Sequence, residues 1–252
     1  MKKNLAVNAS PEVVIIGFEE GGKPLERCLF TTYLDESCID NYDRFYIGEE
    51  FCDRQFVIKM MSIKKTVMFL HKKKKRFSIV LPILHEDMFS KIIDFLYSIN
   101  EYMEDSEIVC NDIGTAISVK HIVHSIVSGR FLTRSYISHF TNPHEDHILS
   151  HIKRAEIDFV NKQKTSSLKS INISYYDNMS VYGISNNRCV YRTQTDSFPE
   201  KVLCAYDCER ENLKLHNKYN NEKFIFFKNA IIQNISSQIP MNVDRVITYG
   251  GD

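Results

Sequence analysis

FSIVLPILHEDMFSKIIDFLYSINEYMEDSEIVC, residues 77–110, carries one complete strand–helix–strand pattern. FSIVLPIL (77–84) is a run of β-branched and aromatic residues of strand length. Over 86–103, Met88, Ile92, Phe95, Leu96, Ile99 and Met103 recur at helical spacing, and Glu86 and Asp87 suit the positive end of a helix dipole. EIVC (107–110) is the next strand. A helix of this length between two strands implies a βαβ unit in a parallel sheet.

The same rhythm extends outward in both directions. EVVIIGF (12–18), RFYIG (44–48), HSIVSG (124–129) and EIDFV (156–160) are further strand candidates. A helix over 143–153 would open on Pro143, which suits a first helical turn. Six to eight such units predict an α/β fold, a TIM-like (β/α) barrel. The barrel is expected to be abbreviated. NKQKTSSLKS (161–170) is short and polar where a helix belongs, and the chain stops at Asp252, soon after its last strand candidate. Beyond about residue 165 the rhythm changes. INISYYDNMSVYGI (171–184) suggests one or two strands, KFIFF (223–227) another, and VDRVITYG (243–250) holds a last barrel strand at 243–249. Residues 185–238 read as an excursion before that strand, within a single domain covering 1–252.

Composition narrows the function classes. Lys+Arg and Asp+Glu number 32 each in 252 residues, so no global field steers nucleic acid or a membrane surface. No apolar stretch approaches the ~20 residues of a membrane span. The two lysines and apolar patch at the N-terminus are interrupted by Asn8, Ser10, Pro11 and Glu12, a poor signal peptide. The expected location is the cytoplasm, where thiols stay reduced. Seven cysteines, an odd number, also argue against a disulfide framework.

Three of those cysteines, Cys189, Cys204 and Cys208, form a C-x14-C-x3-C array, and Cys52 follows an early strand candidate. Buried cysteine is common as a small hydrophobe, and Cys110 inside EIVC fits that role. Cys28 and Cys38 have no partner signature. The array differs, because NNRCVYRTQTDSFPEKVLCAYDCER (186–210) is polar, and Arg188, Arg192, Lys201 and Arg210 would favour thiolates. Spacing alone leaves zinc and an iron–sulfur cluster both open, although zinc sites usually show two close pairs and this array has one.

Several stretches together resemble the peptidase U32 family, in particular its iron–sulfur branch acting in oxygen-independent ubiquinone hydroxylation. DRFYIGEEFCDRQ (43–55) is similar to the segment after an early barrel strand there. EIVCNDIG (107–114) resembles a strand ending in an Asn-Asp-x-Gly turn, and VSGRFLT (127–133) the next Gly-centred strand end. NNRCVYRTQTDSFPEKVLCAYDC (186–208) resembles the branch's Arg-Cys, polar run and Cys-x3-Cys pair, and FIFFKNAIIQNIS (224–236) its next strand and loop. The resemblance covers roughly 40–240. It implies a TIM-like barrel holding a [4Fe–4S] cluster on Cys52, Cys189, Cys204 and Cys208. It also implies a second U32-type subunit in a heterodimer, a small aromatic or nucleobase substrate, and prephenate as oxygen donor. The family's older peptidase reading has no support in a Ser–His–Asp, Cys–His or His-Glu-x-x-His arrangement.

One departure stands out. Family members place an acidic residue and then a histidine before the array, whereas INISYYDNMSVYG (171–183) has Asn172, Ser174 and Ser180 there, with Asp177 shifted. Such a strand is a poor acid–base site, which opens a second expectation: a non-catalytic electron-transfer or stabilising partner of another U32 protein. Other catalytic candidates are Glu49, Glu50, Asn111, Asp112 and Arg130, each just after a strand candidate, where a barrel keeps its active site. His144, His147 and His151 share a helical face but read as a solvated one beside Glu145 and Asp146. HKKKKR (71–76) reads as a solvated turn. Without aromatics interleaved in a basic patch, nucleic acid is not the expected partner.

Overall fold

The computed structural model describes residues 25–31, 34, 36–123, 125–136, 152–158, 171–177, 180–184, 213–216, 223–227, 230–233, 239–240 and 243–250. Eight parallel strands close into a barrel. In chain order they are β1 (Glu26–Phe30), β2 (Arg44–Gly48), β3 (Arg76–Leu81), β4 (Glu107–Cys110), β5 (Ser125–Ser128), β6 (Ile152–Ile157), β7 (Asn172–Tyr176) and, after an insertion, the closing strand (Arg245–Tyr249). The insertion is a four-stranded antiparallel sheet of β8 (Ser180–Ile184), β9 (Leu213–His216), β10 (Lys223–Phe227) and β11 (Ala230–Gln233), ordered β8-β11-β10-β9, so the closing strand is β12. It lies between β7 and β1, parallel to both, in the register Arg245↔Ser174 and Glu26↔Arg245. The expected α/β TIM-like barrel is therefore the fold.

Helices lie between the early strands. These are α1 (Asp53–Lys72), α2 (Glu86–Tyr97), α3 (Ile113–Val119) and, after β5, α4 (Arg130–Tyr136). Only a short 3-10 turn, Glu36–Asn41, is described between β1 and β2. The abbreviated stretch expected at 161–170 and the strand candidate 12–18 lie outside the described residues, as does most of the helix proposed over 143–153. Ile152 and Lys153 belong to β6, so that helix cannot run to 153. The same strand begins earlier than EIDFV suggested and ends at Ile157.

Two other boundaries moved for identifiable reasons. α2 stops at Tyr97, and Asn100–Tyr102 tighten into a 3-10 turn, yet Ile99 and Met103 stay buried. Helical spacing thus marked the core positions correctly while a change of helix type went unseen. α1 was not anticipated. Phe56, Ile63, Val67 and Leu70 form its buried stripe, but Ile58, Met61 and Met68 stand exposed and blur the pattern.

Alternation along each strand sorts the core into two layers. Phe77, Ile79 and Leu81 of β3, Ile108 and Cys110 of β4, and Ala155 and Ile157 of β6 face the helices. Cys28, Phe30, Tyr46, Val80, Val109, Val127, Tyr176 and Ile247 fill the barrel interior. At the N-terminal end of the barrel the interior turns ionic. Arg44 and Arg245 each bridge Glu26 and Glu107, at 2.7–3.4 Å. Despite burial, the Arg245 and Arg44 charges hold the Glu107 carboxyl down to about 2. Packing at this end of a barrel serves stability rather than catalysis.

Candidate functional site at the barrel mouth

The inserted sheet covers the opposite, C-terminal end. Val181 of β8 and Ala230 and Ile232 of β11 pack with Phe51 and Phe131, flanked by Ile83 and Tyr249. The insertion therefore begins at Ser180, five residues earlier than the excursion expected over 185–238, because β7 and β8 belong to different sheets. Asp177 at their junction is half-buried, which raises its carboxyl pKa.

Under this cover lies a buried ion cluster. The guanidinium of Arg130, the first residue of α4, meets Glu50 through two parallel hydrogen bonds, Nε to Oε1 at 2.8 Å and Nη2 to Oε2 at 2.5 Å. Its Nη1 reaches Asp158 at 3.4 Å, and Arg134 donates to both oxygens of Asp158 at 2.8 and 3.0 Å. The fork geometry is one a lysine cannot reproduce. Arg130 also stacks on the ring of Tyr176, 3.8 Å from its centre. Asp158 then accepts from the backbone N–H of Val181 at 2.9 Å. One carboxylate thus ties the ion cluster to the sheet above it.

Glu156 stands two residues before Asp158, on the same inward face of β6, and is fully buried. Its Oε2 accepts from the Tyr176 hydroxyl at 3.1 Å, while Oε1 has no hydrogen-bond partner among the described residues. Burial, and then the charge of Glu50, push this carboxyl up to about 8 against the pull of Arg130. Arg154, Glu156 and Asp158 alternate with Ala155 and Ile157, a charged-inward, apolar-outward pattern legible in the sequence. Reading the strand as starting at Glu156 hid it.

The other candidates take structural parts. Asn111 donates to the Leu81 carbonyl at 2.9 Å and accepts from the Phe131 N–H at 3.3 Å, bridging the ends of β3 and α4. Asp112 caps α3, accepting from the Thr115 N–H at 2.7 Å and the Thr115 hydroxyl at 2.6 Å. Asp112→Ala should therefore cost about 1 kcal/mol in denaturant unfolding, with Asp112→Asn close to wild type. A much larger loss, or none, would contradict the capping role. Glu49 is buried and pairs with Lys59 at 3.4 Å.

Cys52 is buried in the connection from β2 to α1, directly after Phe51 in the chain. It is the N-cap of α1, and its sulfur accepts from the Gln55 N–H at 3.3 Å. The following residue, Asp53, accepts from His85 Nδ1 at 2.7 Å and so joins α1 to the start of α2. Cys189, Cys204 and Cys208 lie outside the described residues, in the 185–212 connection from β8 to β9. Cys28 and Cys110 are buried in the barrel, where burial raises both thiols. Among the described residues no three metal-binding side chains come together, and no helix is long and apolar enough to cross a membrane. No protein-family model, curated protein or solved structure matches the chain.

Proposed function

We propose that this chain is a [4Fe–4S] protein of the U32 type, a subunit or accessory of an oxygen-independent hydroxylation system acting on a small aromatic or nucleobase substrate. The observation that carries the reading is the place of Cys52. It is buried in the connection from β2 to α1, at the end where barrels of this kind build active sites, and it directly follows Phe51, which packs under the sheet whose β8–β9 connection holds Cys189, Cys204 and Cys208. Four thiolates form a donor set suited to such a cluster, which supplies one-electron transfer when bound. The Cys52 sulfur accepts the Gln55 N–H at the N-terminus of α1.

The engagement of the sequence-predicted candidates favours the accessory role within that system. Glu50, Asn111, Asp112 and Arg130 are each engaged by neighbouring groups of the fold. A second U32-type subunit would then contribute the substrate-facing acid–base groups.

Anaerobic purification followed by iron and acid-labile sulfide analysis tests the proposal. About four irons per chain are expected. Cys52→Ser, Cys189→Ser, Cys204→Ser and Cys208→Ser should each lose most of the iron and the broad visible absorption. Cys38→Ser, in the half-exposed 3-10 turn, should keep both. Zinc in place of iron, or full iron in the Cys204→Ser protein, would sink the reading.

A further inference from the structure

Among the described residues, the barrel interior holds one acid that neither ion cluster accounts for. Toward the mouth, Arg130 and Arg134 are matched by Glu50 and Asp158. Toward the other end, Arg44 and Arg245 are matched by Glu26 and Glu107. Glu156 lies between them. The groups facing it are Tyr176 from β7, Tyr46 from β2, Glu50 from the loop after β2, Arg130 from α4 and Arg245 from β12. Both arginines are already engaged by carboxylates, and both tyrosines are buried phenols whose own ionisation is pushed well above its usual range. Among the described residues, a negative charge on Glu156 would have one hydrogen bond, from the Tyr176 hydroxyl, and no ion partner of its own. Taking a lone carboxylate out of water costs several kcal/mol, so such a group holds its proton instead.

We propose that Glu156 is a buried proton-binding site: it is an uncharged carboxylic acid in the resting protein, and losing that proton loosens the inserted sheet from the barrel mouth. The route is short. Tyr176 bonds Glu156 through its hydroxyl and carries Arg130 on its ring face. Ionised Glu156 adds a third carboxylate to a mouth cluster with two guanidiniums, and draws Arg130 inward along that ring. Asp158 then loses part of its cationic partner, and it is the group that holds the Val181 N–H. The proton leaves to solvent as the sheet parts, so no other reactant is needed. This inference does not depend on what the cysteines bind.

The sign follows from linkage. Folded Glu156 keeps its proton up to about pH 8, whereas the unfolded chain loses it near the ordinary carboxyl value of 4.5. Its contribution to stability is whole below 4.5 and declines as pH rises through about 8. The test uses the full-length protein, purified anaerobically. Difference infrared spectroscopy should show a protonated-carboxyl band below pH 8 that disappears above it, and that is absent from Glu156→Gln. Hydrogen exchange, corrected for intrinsic rates, should show the protection of β8 falling by up to about tenfold per pH unit between pH 4.5 and about 8 in the wild type and levelling off above, and staying level throughout in Glu156→Gln. Should Glu156→Gln not fold, Tyr176→Phe serves: it removes the bond that favours the ionised acid and should move the band's midpoint upward. A wild-type protein without the band, a band retained in Glu156→Gln, or β8 protection with the same pH course in both proteins would overturn the proposal.

Discussion

Arg130→Ala is expected to destabilise the protein by about 3–5 kcal/mol, a large part of the whole stability of a domain this size. The substitution leaves the carboxylate of Glu50 buried with its fork partner gone, and it strips Asp158 of one of two guanidiniums. Both acids are essentially inaccessible to solvent. The loss reflects the uncompensated charge rather than a large net gain from the pair itself. Arg130→Lys should recover little, because a single ammonium cannot serve the parallel Nε and Nη2 bonds to Glu50. Pairing Arg130→Met with Glu50→Gln should recover most of the loss. Urea unfolding of the four proteins, followed by tyrosine fluorescence, gives the comparison. If Arg130→Ala loses less than about 1 kcal/mol, the cluster at the mouth is not the buried network described.

Gly48→Ala is expected to cost a similar amount, about 3–5 kcal/mol, for a wholly steric reason. Gly48 ends β2 with φ at +132°, a backbone conformation that residues with a Cβ rarely adopt. A methyl there would also stand 2.3 Å from the carbonyl oxygen of Val80. That oxygen cannot retreat, because it accepts from the Glu49 N–H at 3.1 Å inside the β2–β3 ladder. The turn that follows sets Glu49, Glu50, Phe51 and Cys52 in sequence across the mouth. Thermal unfolding should show the loss. Gly129→Ala makes a milder comparison. Its Cβ would meet the Asn111 side chain at 2.3 Å, and a side chain can move where a ladder carbonyl cannot.

Much of the barrel was legible in the chain. RFYIG, FSIVLPIL and EIVC stand as β2, β3 and β4, each within three residues of the expected bounds, because β-branched runs bounded by turns fit only a buried strand. VDRVITYG holds the closing strand. What escaped was contextual. α1 hides its buried stripe among exposed methionines, and β6 begins at Ile152, four residues before the expected EIDFV, so that Arg154 of its charged inward face went unread. Asn111, Asp112 and Arg130 were rightly placed at strand ends, yet position alone could not say that the first two bind backbone while the third pairs with acids far along the chain.

The division has a physical cause. Periodicity is local, so hydrophobic spacing in this sequence was enough to determine a parallel α/β barrel and to set the polar cysteine-bearing stretch apart from it. The array C-x14-C-x3-C is likewise a property of the chain alone. Electrostatics is not local. The Glu50–Arg130 pair spans 80 residues, and the Arg154–Asp244 bridge spans 90. Whether a carboxylate is matched, and hence whether it keeps its proton, depends on which side chains the closed barrel brings into one dry space. Only the tertiary structure could put Glu156 between two complete ion clusters, and Cys52 in a buried cap on α1.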